Sequence, residues 1–277
     1  MNRYTNKGVM IIGGGILQHP TFEICRSLNI QTFLVDGDEN CYSRNYADHF
    51  IHIDIRQVDL LLQKAKYLKE SGLIHAVFTQ GTDVEHVVAF LAKELNFNGM
   101  DYDAAMNCNN KFRCRKLLYE NDVDKTPYYF VKSKPELEKL SARMDDNFFP
   151  CYIKPVNNSA SRGVKRVLNR DELLNSFDYA SKNNYEENVV LIEKEIIGNE
   201  ISVDTIVING IVYPCGISDR KFLDKNKYAI QVGSITPSSL LPDVQSNVYS
   251  VMQKAASALK IDNGAFKGDL VVNENNE

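Results

Sequence analysis

Tyr152-Ile153-Lys154-Pro155-Val156-Asn157-Asn158-Ser159-Ala160-Ser161-Arg162-Gly163-Val164 is a short strand that ends on a lysine and runs at once into a small, polar, glycine-containing loop. A lysine on a strand has a fixed origin, and small loop residues let backbone N–H groups approach an anion that bulky side chains would hold away. Pro155 stiffens the exit from the strand, while Ser159, Ser161 and Gly163 keep the loop free to close. Taken alone, these residues read equally as a phosphate grip or as an exposed loop after an edge strand. The sequence on either side decides between the two.

On the N-terminal side, short apolar runs alternate with helical patterns, the signature of a parallel sheet wrapped by helices. Strands are expected at Val9–Ile12, Thr32–Val35, Phe50–Ile53 and His75–Phe78, with helices at Thr21–Leu28, Asp59–Ser71 and Val84–Leu95. A basic helix follows at Asn110–Asn121, and Pro127 stops helix beyond it. From Tyr128 the pattern becomes strands separated by turn residues: Tyr128–Val131, Cys151–Lys154, Gly163–Val167, Val189–Glu193, Ile201–Val207, Ile211–Ile217 and Asp269–Val272. Helices at Arg170–Asn183 and Ser246–Leu259 flank them, and Asn209-Gly210 is a strong hairpin signal. The expected fold class is α/β: a Rossmann-like parallel-sheet domain over residues 1–105, then an α+β domain over 106–277 with lobes at about 106–188 and 189–277.

The 277 residues are 44% apolar, enough for a packed core, and the formal net charge of -4 leaves no basic excess. Nucleic acid and membrane surfaces are therefore not expected partners. The six cysteines include no Cys-x-x-Cys pair, and the histidines form no His-Glu-x-x-His arrangement. Free thiols and a cytoplasmic location are the expectation, because the apolar run Val9–Leu17 is too short for a membrane span.

Gly13-Gly14-Gly15 lies between a strand and a helix, with Asp36 at the end of the next strand, the layout of a dinucleotide fingerprint. Gln18 occupies the sixth position, where close helix packing calls for Gly or Ala, and this argues against NAD. Thr79-Gln80-Gly81-Thr82-Asp83 leaves the sheet at the same edge. Gly14, Gly15, Asp36, Gly81 and Asp83 are accordingly the candidate substrate residues, since open α/β sheets bind ligands at the carboxyl ends of their strands.

In the second half, Asn110-Lys111-x-x-x-Arg115-x-x-Leu118 precedes the Lys154 strand, and Glu193-Lys194-Glu195-Ile196 precedes Gly198-Asn199-Glu200. In this order and spacing the segments resemble the ATP-grasp superfamily, in particular its biotin carboxylase, carbamoyl phosphate synthetase and phosphoribosylglycinamide synthetase branch. The resemblance takes in the Gly-Gly-Gly loop and Asp36, and so covers almost the whole chain. It implies an ATP- and Mg2+-dependent carboxylate–amine ligase that works through an acyl phosphate, on small-molecule carboxylate and amine substrates, with a homodimer as the expected assembly. It further implies that Lys111 and Lys154, with Ser159, Ser161 and Gly163, hold the nucleotide phosphates. Glu193 and the backbone of Lys194, Glu195 and Ile196 would meet adenine, Glu200 the ribose, Asp269 the metal, and Arg220 the transferring phosphoryl group or a substrate carboxylate.

The family pattern continues past the Asp269 strand to a returning strand with a second metal acid in a Glu-x-Asn-x-Arg type motif. This sequence ends at Glu277, within the turn Asn273–Glu277. The resulting expectation is a truncated form that holds adenine nucleotide weakly and is impaired as a ligase. Two alternatives stay open: a non-catalytic ATP-binding module, and an NAD-dependent oxidoreductase resting on Gly13–Gly15 and Asp36.

Overall fold

Continuous apolar runs bounded by turn residues make strands that are buried on both faces, and the two central strands of the first unit are of this kind. The computed structural model describes residues 7–158, 161–184, 189–223 and 230–276. The chain divides into two compact units, Met1–Ala105 and Met106–Glu277.

In the first unit, strands β1 (Lys7–Ile12), β2 (Ile30–Asp36), β3 (His49–His52) and β4 (Ala76–Phe78) form a parallel sheet in the order β3-β2-β1-β4. Helix α1 (His19–Ser27) joins β1 to β2, α2 (Val58–Glu70) joins β3 to β4, and α3 (Glu85–Glu94) follows β4. Because side chains alternate across a strand, Met10, Ile12, Phe33 and Val35 pack against Leu61, Leu68, Leu91 and Leu95 of α2 and its neighbours. Ile11 and Leu34 face the other way, onto Phe22 of α1. The parallel arrangement brings the loops after β1, β2 and β4 to one edge of the sheet.

The second unit holds two antiparallel sheets. After α4 (Tyr102–Asn109) and α5 (Lys111–Glu120) come β5 (Tyr128–Val131), α6 (Lys134–Ser141), β6 (Cys151–Pro155), β7 (Lys165–Val167), α7 (Arg170–Lys182) and β8 (Val190–Lys194), with sheet order β5-β8-β6-β7. Cys151, Ile153, Val190 and Ile192 point to one face, where Leu137, Leu173 and Phe177 close the core. Then β9 (Asn199–Ile208), β10 (Ile211–Leu223), β11 (Ile230–Ile235), α8 (Pro242–Leu259) and β12 (Asn263–Val272) follow, with order β11-β10-β9-β12. Ile201, Val203 and Ile217 bury against Val244, Val248 and Met252 of α8.

Most strands lie within two residues of their expected positions, but three elements run longer. β12 begins at Asn263 rather than Asp269, because its whole length pairs with β9, Asn263 opposite Ile208 and Val272 opposite Asn199. Asp269 therefore lies well inside the strand rather than at its start. β10 extends to Leu223 because β11, which sequence reading does not mark, pairs with its distal half. α8 starts at Pro242, a residue suited to a first helical turn. The hairpin at Asn209-Gly210 has φ of 50° and 77°, the left-handed pair that a two-residue turn between twisted strands needs.

Candidate functional site

Asn110 caps α5: its Oδ1 accepts the N–H groups of Phe112 and Arg113 at 3.0 and 3.1 Å. The Lys111 N–H donates to the Val156 carbonyl at 2.8 Å, which ties the helix start to the exit of β6. Lys111 Nζ then reaches the Asn158 carbonyl. Lys154, on β6 itself, donates through Nζ to Glu193 Oε2. The two lysines, far apart in sequence, thus both lie along the stretch 154–158. Arg162 adds a third cation, its Nε on Asn158 Oδ1 at 3.1 Å. Gly163 has φ +78°, and a Cβ there would stand 2.6 Å from Asn183 Cβ and 3.0 Å from Pro155, so glycine is required where the loop returns to β6. Ser161 also has a left-handed backbone, φ 58°, and Ser159 lies outside the described residues.

Tyr152 pairs with Glu193 across β6 and β8, so both side chains share the face that bears Lys154. Glu193 is buried and holds two cations, Lys154 on Oε2 and Arg115 Nε on Oε1 at 2.5 Å. Burial pushes its carboxyl up, but Lys154 and Arg115 outweigh this and hold it below the usual carboxylate range. Arg115 also donates to Asp124, whose Oδ1 accepts from Thr126 N at 2.8 Å and Thr126 Oγ1 at 2.6 Å. Beyond Glu193, the Lys194 and Glu195 N–H groups donate to the carbonyls of Pro127 and Pro150, both at 3.0 Å. The Glu195 carboxylate takes a two-point contact from Arg166 at 2.7 Å and accepts from Tyr152 Oη at 3.2 Å. Burial and the Glu195 charge push the Tyr152 phenol up to about 12. Ile196 and Ile197 follow as an exposed apolar ledge, with Ile197 80% accessible.

Glu200 and Ser202 on β9, Arg220 on β10 and Asp269 on β12 lie on the face of the second sheet that turns away from α8. Arg220 Nη1 stands 3.3 Å from Glu200 Oε2 and 3.3 Å from Asp269 Oδ2. Asp269 Oδ1 accepts from Ser202 Oγ and Lys267 Nζ, each at 2.8 Å. Burial pushes the Asp269 carboxyl up, yet Lys267, Arg220 and Ser202 together hold it below its usual range. Among the described residues there is no group of three or more His, Cys, Asp and Glu side chains suited to a metal. Asp269, with Glu200 nearby, offers hard oxygen of the kind Mg2+ accepts when phosphates and water complete its shell. These residues fit a phosphate-borne cation rather than an all-protein cage.

In the first unit, the Gly14 N–H donates to Asp36 Oδ2 at 2.6 Å, and the Asp38 N–H to Asp36 Oδ1 at 2.8 Å. A Cβ on Gly14 would meet Cys41 Sγ at 2.4 Å, so the loops after β1 and β2 touch. Ser43 donates to the carbonyls of Gly14 and Gly15, at 2.9 Å from its backbone N and 3.2 Å from Oγ. Gln18 is fully buried: Nε2 donates to Ile12 O and Thr79 Oγ1 at 3.1 Å, and Oε1 accepts the Gln80 N–H at 3.0 Å. This ties the glycine loop to the 79–83 loop, which places Gly81, φ +61°, against Leu17, with Asp83 two residues on.

The structure therefore gathers Lys111, Lys154, Gly163 and Glu193 at one place, Glu200, Arg220 and Asp269 at a second, and Gly14, Gly15 and Asp36 at a third. Sequence reading assigns no role to Arg115, Asn158, Arg166 or Ser202. Arg115 stands four residues after Lys111, one helical turn, and that spacing is the signal that points to it.

Residues 147–277 match the family model described as ATP-grasp domain. Among curated relatives, the formate-dependent phosphoribosylglycinamide formyltransferase of Proteus mirabilis is 25% identical over 77% of this chain and 53% of its own length. The D-alanine--D-alanine ligase B of Clostridium perfringens is 26% identical over 77% of this chain and 69% of its own. Among solved structures, the biotin carboxylase domain dimer of the Hydrogenobacter thermophilus 2-oxoglutarate carboxylase, in complex with MgADP, ADP and bicarbonate, superposes with a TM-score of 0.79. It shares 20% identity, over 97% of this chain and 61% of that one. The chain spans about half the length of the formyltransferase relatives it matches. No helix among the described residues is long and apolar enough to cross a membrane.

Proposed function

We propose, from the match of residues 147–277 to the ATP-grasp domain model, that the chain takes part in ATP- and magnesium-dependent ligation of a small-molecule carboxylate to an amine, through an acyl phosphate. The observation that supports this most is the convergence of Lys111 and Lys154 on the stretch 154–158 beside buried Glu193. Transfer of a phosphoryl group spreads negative charge over its oxygens, and fixed cations lower that barrier by electrostatics and positioning. Lys111, Lys154 and the 161–163 loop would hold the phosphates. Glu193 and the 194–196 backbone would face adenine, with the exposed Ile196–Ile197 ledge supplying apolar surface, and Glu200 would take the ribose.

Magnesium, when bound, would neutralise phosphate charge beside Asp269. Arg220, on the same sheet face, would hold the phosphoryl group as the substrate carboxylate attacks it and ADP leaves. An amine then attacks the acyl carbon and expels phosphate, forming the C–N bond. Within the first unit, Gly14, Gly15, Asp36, Gly81 and Asp83 are the proposed substrate-binding residues. The relatives' names make formate and D-alanine the first acids to try.

The test is hydroxamate formation by the purified chain with ATP, magnesium and hydroxylamine over formate, bicarbonate, D-alanine and L-amino acids. ATP-dependent hydroxamate with any one acid supports the ligase. A nucleotide-binding module without turnover is the second reading, favoured by Asp269 being engaged by both Arg220 and Lys267. ATP binding with no hydroxamate from any acid would select it, and would match the expectation of an impaired ligase.

A further inference from the structure

Four charges, those of Lys154, Glu193, Arg115 and Asp124, lie together, and their arrangement is uneven. The Glu193 carboxylate is 8% exposed and is divided between Lys154 (22%) and Arg115 (17%). Arg115 is fixed at both ends. It grows from α5, whose start is capped by Asn110, and its Nη1 is held by Asp124, itself tied down by two bonds from Thr126. Its Nε donates to Glu193 Oε1 at 2.5 Å. Lys154 has no such second anchor among its described contacts, and its ammonium sits on a flexible four-carbon stem.

A phosphate arriving at the 154–158 stretch competes with Glu193 for Lys154. If Lys154 were the sole counter-ion, its departure would leave a buried carboxylate uncompensated, a heavy cost. With Arg115 in place, Glu193 keeps a fixed partner while Lys154 moves. We infer that Arg115 is a positioning residue for nucleotide binding: it holds the Glu193 charge so that Lys154 is free to transfer to a phosphate. The inference rests on the reading of this site as one for ATP.

Calorimetric titration with ATP and magnesium tests it on five proteins: wild type, Lys154→Ala, Arg115→Met, Arg115→Lys and the double variant Arg115→Met/Glu193→Gln. Arg115→Met is expected to bind at least about tenfold more weakly than wild type, since Lys154 is then locked to Glu193. Neutralising Glu193 in the double variant releases Lys154, so it should bind at least about fivefold more tightly than Arg115→Met. Arg115→Lys, which keeps the charge but loses the fork, should fall between wild type and Arg115→Met. A purely structural role for Arg115 predicts no such rescue, because the second substitution removes a further hydrogen bond.

Wild-type affinity in Arg115→Met, or a folded double variant no tighter than Arg115→Met, overturns the inference. If Arg115→Met does not fold, Arg115→Lys with and without Glu193→Gln gives the same comparison. Failure of wild type to bind ATP, or equal binding by Lys154→Ala, overturns instead the ATP reading beneath it.

Discussion

Gly198 lies between β8 and β9, in the Gly-Asn-Glu segment, and replacing it with alanine probes how the second sheet is held. An added Cβ would stand 2.2 Å from the Val272 carbonyl oxygen, 2.7 Å from its carbon and 2.8 Å from Val271 Cγ1. Ordinary contact begins near ~3.5 Å, so the strands must part by about 1 Å. The obstructing atoms are mostly backbone and cannot rotate away. Val272 pairs with Asn199 and Val271 with Glu200, so the shift falls on the end of the β9–β12 ladder and moves Glu200 relative to Arg220. Overpacking of this kind costs roughly 1–3 kcal/mol. At about 2–4 °C per kcal/mol for a unit of this size, Gly198→Ala should lower the melting temperature by roughly 2–12 °C by scanning calorimetry. Gly233→Ala is the control, since a Cβ there meets nothing within 4 Å. A Gly198→Ala melt within about 1 °C of wild type, or no different from that of Gly233→Ala, would refute the close approach.

Acid should weaken the second unit through Glu193. Its folded-state pKa is lowered, so its contribution is fully present above the unfolded value of about 4.3 and is lost as pH falls through the folded one. Denaturant unfolding of wild type between pH 6 and pH 3 should fall more steeply than that of Glu193→Gln, and parallel curves would contradict the assignment. Thiol reactivity should divide by burial: at pH 8, dithionitrobenzoate should modify exposed Cys108 and Cys215 quickly. Cys151, buried and pushed up to about 12 by burial and the Glu195 charge, should react only on unfolding, and rapid native modification of it would contradict the packing around β6.

Local signals in the sequence carried well into the structure. Asn209-Gly210 marks its hairpin because only such residues take two consecutive left-handed conformations cheaply. The apolar runs of the first unit mark its strands because a parallel sheet buries both faces. Helix α6 also carries a local signal: Ser133 Oγ accepts the Glu136 N–H at 3.4 Å, the Ser-x-x-Glu pattern of a helix start. What could not be read was register. That Glu193 faces Tyr152, or that Asp269 lies opposite Ser202 and near Arg220, depends on pairing between strands distant in sequence, and a shift of one residue would turn each side chain to the other face. The double grip on Glu193 is of this kind, since Arg115 and Lys154 approach it from a helix and a strand that no local pattern relates. Gln18 shows the same limit in the first unit. Its identity argues against a dinucleotide fingerprint, while its three bonds between the β1 and β4 loops become visible only once those loops share a sheet edge.

Lys154 and the loop after it are proposed to hold the phosphates of ATP. Isothermal titration of the chain with ATP and magnesium, beside the Lys154→Ala variant, tests it most directly. Loss of a charge-assisted phosphate contact worth about 1.5–3 kcal/mol predicts binding by wild type and an affinity roughly 10- to 100-fold lower in the variant. Equal affinity in the two proteins, or no heat of binding with wild type, would contradict it.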